Sequence, residues 1–242
     1  MKKIAIRSLI VIAILIPIAA AAHYVVFPQT SRCMLIGMSS FEKHDGIYFA
    51  PQTDISIQKT IVEYVNESGK RIESLFSNRK GTPVIIYCKT NEEFEKYGAN
   101  GSSPAVTQLS IFGEFVVING TQLDQDVVAH EMCHAELQSQ IGWFKRSTKI
   151  PTWFDEGIAM QVDNRDYYGE DSLMAAINNG MKMADVTKMK TLSEFNQGND
   201  DEVWLHYAAA KHVVGQWYSK QKLSKFIQNM NDGDGFDEAY KK

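Results

Sequence analysis

The chain has 242 residues, 44% of them hydrophobic and 11% aromatic, enough to bury one substantial core or two small subdomains that share an interface. Its formal net charge is −4 and its basic residues are spread along the sequence, which excludes nucleic acid as a partner class.

The first element is the run MKKIAIRSLIVIAILIPIAAAAHYVVF, where Lys2, Lys3 and Arg7 precede a long apolar stretch. Ala20, Ala21 and Ala22 fit the cleavage site of a secretory signal. Ser8 to Phe27 also matches the ~20 residues that a helix needs to span a bilayer. Residues 1–32 are therefore expected to be a signal segment or a membrane anchor, with the membrane as a partner. The basic end stays on the cytoplasmic side, so the rest of the chain is expected outside the cytoplasm, tethered by one helix, or secreted or periplasmic if the segment is cleaved. Arg32 stands where a small residue would precede a lipidated Cys33. Three cysteines, Cys33, Cys88 and Cys133, form no C-x-x-C pair and no zinc ribbon. A Cys33–Cys88 bridge is conceivable in an oxidising compartment, but spacing alone does not decide it.

Ile47 to Phe49 reads as a short strand closed by Pro51. Asp54 then opens a helix whose apolar residues, from Ile55 to Phe76, recur mostly at spacings of three and four. Val84 to Cys88 is a buried strand that completes a strand-helix-strand unit. A short helix follows, begun by Thr90 or Asn91 and ended by Gly98. TQLSIFGEFVVING reads as one or two strands broken near Gly113 and ending at Asn119-Gly120. From Thr121 the pattern turns helical, then passes through a loop around KRSTKIP, a helix from about Thr152 to Val162, a polar connector and two C-terminal helices. The expected organisation is an α/β subdomain over residues 33–121 and a helical subdomain over residues 122–242.

Within the helix after Thr121 lies VVAHEMCHAE. Residues four apart share one face of a helix, so His130 and His134 can aim both imidazoles at one cation. Glu131 sits about 100° round the helix, beside such a cation rather than on it. This is the H-E-x-x-H pattern of zinc hydrolases, in which the glutamate acts as a base. The longer pattern that would supply a third histidine fails, since Leu137 stands where it needs glycine and Gln140 where it needs histidine.

PTWFDEGIAM, beginning at Pro151, carries Trp153, Glu156, Gly157 and Ala159, with 21 residues between His134 and Glu156. In the two motifs together the chain resembles the gluzincin metallopeptidases, whose H-E-x-x-H helix is followed by W-x-x-E-G-x-A. Across residues 45–242 its layout is similar to the small peptidase-MA-like domains of bacteria. The resemblance implies an α+β, zincin-like fold: a mixed sheet and helices first, a helical subdomain after, and the zinc site between them. It implies one Zn2+ per chain held by His130, His134 and Glu156, with Glu131 as general base. It also implies an oxyanion donor on a later helix, for which Tyr207 and His206 are both candidates. Tyr207 can equally be a core aromatic packed with Ala210 and Val214. Asp155 is left to orient a ligand histidine or cap its helix, and Cys133 reads as a small buried side chain. Small residues at 157 and 159 would let the second motif's helix approach the first. His44 and His212 have no second ligand at a suitable spacing.

The expected activity is hydrolysis of peptide bonds in a peptide or protein substrate. No G-x-M-E-N run is present, which disfavours an aminopeptidase and points to an endopeptidase. The alternative is a catalytically silent, membrane-tethered zinc-binding or interaction module with the same fold. Retention of Glu131 speaks against it, because a purely structural metal has no use for a base.

Overall fold

A computed structural model describes residues 2–99, 101 and 103–242, with side chains in the first helix from residue 13 onward except residue 14. The elements in chain order are α1 (Lys2–Val26), α2 (Pro28–Met34), β1 (Glu42–His44), β2 (Ile47–Phe49), α3 (Ile55–Phe76), β3 (Val84–Cys88) and α4 (Asn91–Tyr97). Next come β4 (Ala105–Ser110), β5 (Gly113–Asn119), α5 (Gln125–Ile141), α6 (Trp143–Lys149) and α7 (Thr152–Ala159). The remaining helices are α8 (Glu170–Asn178), α9 (Leu192–Phe195), α10 (Asp200–Trp217), α11 (Lys220–Asp232) and α12 (Phe236–Lys241). The protein is thus mixed α/β, with a five-stranded sheet in its first half and a helical C-terminal part.

The sheet order is β1-β2-β3-β5-β4. Strands β2, β3 and β5 run parallel, while β1 and β4 are antiparallel to their neighbours. Helix α3 makes the crossover from β2 to the parallel β3, as the strand-helix-strand pattern requires. The alternation of side chains along β3 and β5 divides the core. Ile85, Tyr87, Val116 and Ile118 join the large cluster with α3 and α5, whereas Ile86, Cys88, Phe115 and Val117 join a smaller one with Cys33 and Phe94. Burial on both faces explains why these strands read as nearly continuous apolar runs. The large cluster extends from Ile47 to Ala239, so sheet and C-terminal helices share one core.

Two turns settle points that periodicity left open. TQLSIFGEFVVING is two strands, because Gly113 has φ +138° and lets the chain reverse between β4 and β5. KRSTKIP, expected as a loop, lies largely on α6, which starts after Gly142 (φ +85°) ends α5. Thr90 caps α4 reciprocally with Glu93, as a capping box does.

The expected membrane anchor is corrected. Among the described residues no helix is long and apolar enough to cross a membrane. Helix α1 holds Pro17 within it and ends at Val26 in a joint with α2 rather than in a continuing apolar run. At that joint His23 Nδ1 lies 2.7 Å from Ser31 Oγ on α2, and the His23 ring packs against Phe27 and Phe112. The earlier part of the expected anchor, over residues 8–12, lies outside the described side chains. With the anchor falls the localisation read from it.

Helix α5 is buried on nearly all sides, between the sheet, α3 and α7. Its C-terminal half carries Glu136, 1% exposed, which accepts hydrogen bonds from the backbone N–H of Lys80 (2.9 Å) and Gly81 (2.7 Å) and from Gln140 Nε2 (2.6 Å). These tie the segment entering β3 to α5. Gly157 also makes a close approach, though to a different neighbour from the one expected. A Cβ there would stand 2.4 Å from Val214 Cγ2 and 2.8 Å from the Ala210 carbonyl oxygen, so it is α10, not α5, that α7 approaches through Gly157. Cys133, fully buried, faces the Ile158 carbonyl at 3.7 Å and is the small side chain at the α5–α7 contact.

Two substitutions test this packing. Glu136→Ala should lower unfolding free energy by about 2–4 kcal/mol in urea titration, because two backbone N–H groups lose their acceptor. Gly157→Ala should cost about 1–3 kcal/mol through overpacking between α7 and α10, and a stability equal to wild type would show that the two helices are not in close contact.

Candidate metal centre

Asp124 starts α5 by accepting from the backbone N–H of Asp126 and Val127, at 2.8 and 3.0 Å. One turn further in, His130 and His134 project from the same face toward α7, each 7% exposed. Nε2 of His130 and Nε2 of His134 are 3.1 Å apart. Oε2 of Glu156 lies 3.2 Å from the first and 3.6 Å from the second. A tetrahedral ion with bonds of ~2.0–2.1 Å has ligand-to-ligand edges of about 3.3–3.4 Å. The three atoms therefore form one triangular face of such a site, and the group could hold one metal ion.

The second helix does more than deliver Glu156. Asp155, its neighbour, accepts from Nδ1 of His134 at 2.9 Å and from the guanidinium of Arg146 on α6. With Nδ1 hydrogen-bonded to Asp155, the neutral form of the ring would present its Nε2 lone pair to a cation. Adjacent carboxylates on α7 thus have separate tasks. Burial opposes ionisation of Asp155, yet Arg146 and then His134 hold its pKa below the usual value. Burial likewise opposes ionisation of Glu156, and the charge of His134 together with hydrogen bonds from both imidazoles holds that carboxyl well below its ordinary range. For His134 burial disfavours the charge, but Asp155 and Glu156 facing it raise the pKa well above 6.5. Nδ1 of His130 is buried without a partner.

These ligands open onto a cleft of about 400 Å³. Glu131 lines it, and Thr107 Oγ1 on β4 lies 2.7 Å from both the Glu131 Oε2 and the Glu131 backbone carbonyl oxygen. Tyr207 lines it too, its ring 6.3 Å from that of His130 and edge-on to Phe195. Burial, then the carboxylates of Glu156 and Glu131, push the Tyr207 hydroxyl pKa up, so it remains a neutral donor. His206 is placed elsewhere: it is buried, does not line the cleft, and its Nδ1–H donates to the Phe195 carbonyl at 2.7 Å. His44 pairs with Glu42 and His212 with Glu170, both away from the centre. Cys33, Cys88 and Cys133 are free thiols, and burial raises Cys33 to about 12.

Thr107 and Arg146 are the two residues at the centre for which sequence offered no signal. One lies on a strand and the other on α6, and only tertiary contact brings them to α5 and α7.

The charge on His134 has a consequence for metal uptake. With its folded pKa raised, the charged ring adds stability to the metal-free protein fully below 6.5, and this is lost as pH rises through the folded value. A cation needs the neutral ring. Binding should therefore release protons, and more of them as pH falls through the folded pKa of His134, measured by calorimetry in buffers of different ionisation enthalpy. In the same assay Glu156→Ala should abolish stoichiometric binding, while Asp155→Asn should weaken it about 10–100-fold. No family model and no curated protein matches this chain, so the chemistry of these residues carries the functional reading.

Proposed function

We infer that the protein is a zinc-dependent metallopeptidase of the gluzincin type that cleaves internal peptide bonds. The observation that carries this reading is the triangle of His130 Nε2, His134 Nε2 and Glu156 Oε2, with Glu131 beside it in the same cleft. Nitrogen and oxygen donors in this number suit zinc in a catalytic site, where three protein ligands leave a fourth position for water or substrate. A structural zinc is instead closed by four protein ligands.

Bound zinc supplies Lewis acidity, acidifying water and polarising a carbonyl oxygen. The remaining chemistry falls to side chains. Glu131 takes the proton of the attacking water on its carboxylate and passes it to the departing amine, and Thr107 fixes the carboxylate for that transfer. The Tyr207 hydroxyl donates a hydrogen bond to the oxygen that gains negative charge. Asp155 and Arg146 hold the His134 ring in place throughout. In this reading the zincin-like arrangement comes from α5 and α7 meeting beneath the sheet.

Strand β4 supports a peptide as substrate. It is an edge strand with β5 on one side only, and Ala105, Thr107 and Leu109 line the metal cleft. An edge strand has backbone donors and acceptors to share with an extended peptide.

Zinc-loaded Glu131→Gln should keep its metal and lose at least 100-fold in hydrolysis of unfolded casein, consistent with removal of a general base. Chelation of the wild type should abolish cleavage, and zinc should restore it. Zinc-loaded Glu131→Gln protein cleaving as fast as wild type would remove the assigned role of Glu131. Absence of chelator-sensitive cleavage in the zinc-loaded wild type would overturn the peptidase reading.

A further inference from the structure

Leu109 lines two cavities at once, the metal cleft and a second, apolar one of about 280 Å³. The second is walled by Phe27 after α1, Ile111 and Phe112 at the β4–β5 turn, and Trp143 at the start of α6. None of its lining residues is Asp, Glu, Lys or Arg. Ile111 and Phe112 are 62% and 59% exposed, an unusual place for two large apolar side chains in succession at a hairpin tip.

The tip is not free to fold over them. Ser110 Oγ accepts from the Phe112 N–H at 3.0 Å and donates to the Gly113 carbonyl at 3.1 Å. Gln138, on the metal-binding helix α5, donates from Nε2 to the Ser110 carbonyl at 3.2 Å and to Glu114 at 3.0 Å. The apolar cavity is therefore held at a fixed place relative to His130 and His134.

Along β4 the two cavities are successive. Thr107 stands beside Glu131 and marks the level of the reacting bond. A strand advances about 3.3 Å per residue, so Leu109 lies about 7 Å further on, and the turn carrying Ile111 and Phe112 follows directly after Ser110. We propose that the apolar cavity is a substrate subsite, taking one bulky apolar side chain two to four residues from the bond that is cleaved. This rests on the peptidase reading above. An extended peptide lying along the outer edge of β4, with its scissile bond at Glu131, presents a side chain to Leu109, Phe112 and Trp143 at that distance. The class of substrate is accordingly an extended segment with a Phe, Leu or Met near the cut on one side, rather than a charged one.

The test uses the zinc-loaded full chain and alanine-rich peptides in which a single Phe is walked from four positions before the scissile bond to four after. The expected result is a 10–100-fold gain in kcat/KM for Phe at a position two to four residues away, on one side only. Phe112→Ser and Trp143→Ser should each bring the Phe-to-Ala ratio toward one. Binding of the same labelled peptides to zinc-loaded Glu131→Gln protein, read by fluorescence anisotropy, reports the subsite without turnover. Phe112-dependent binding of the Phe peptide, together with no cleavage of any peptide by the zinc-loaded wild type, would uphold the apolar cavity as a peptide-binding pocket and sink the peptidase reading. Cleavage indifferent to the position of Phe, or a preference that survives both substitutions, overturns the subsite and leaves the peptidase standing. So does a change in self-association by gel filtration without a change in peptide preference, which would assign the patch to a second copy. Neither binding nor cleavage of any peptide overturns it as well.

Discussion

Two imidazoles on one helix and a carboxylate on another meet within 3.6 Å only if α5 and α7 are held in one register. Most of the fold around them serves that register. Helix α5 is packed by the sheet and α3, and is tied by Glu136 to the segment leading into β3. Helix α7 is pressed against α10 at Gly157 and touches α5 at Cys133. A metal-ligand bond tolerates displacements of only a few tenths of an ångström, so packing at native density is what makes a three-point site possible.

The polar groups follow the same economy of position. Asp155, Arg146 and His134 form a chain across three helices, α7, α6 and α5, in which Asp155 accepts from both of the others. Burying such charges is costly unless they are paired, and here the pairing also aims the His134 ring. Thr107 does the equivalent for Glu131 from the sheet side. The proposed catalytic cleft is thus bounded by helix below and edge strand above, and the apolar cavity continues it along the strand.

Local signals in the sequence were strong where a residue's reason for being there is local. Strand Val84–Cys88, the helix start at Thr90 or Asn91, the long amphipathic helix after Asp54 and the i, i+4 histidines all depend on neighbours within a turn or a strand. They were legible for that reason. The N-terminal run misled because apolar composition alone does not say where its helix ends. The described part of α1 ends in a joint where His23 meets Ser31 and Phe112, far from it in the chain. KRSTKIP misled in the opposite sense, since its helix has few apolar residues to announce it. Gly157 was recognised as a close-approach residue, but spacing does not say which helix approaches.

By itself the sequence determined that His130, Glu131 and His134 share one helix with the two histidines on one face, and that Glu156 follows on a second helix. It also determined the strand and helix alternation of the first half, because covalent neighbours set period and capping. Tertiary structure alone decided that the two helices bring His130, His134 and Glu156 together, that Asp155 turns to His134, and that Tyr207 reaches the cleft while His206 bonds to Phe195. The physical reason is distance along the chain. Each of these contacts joins residues whose separation is bridged only by the packed core, and no periodicity within one element encodes which face of another it will meet.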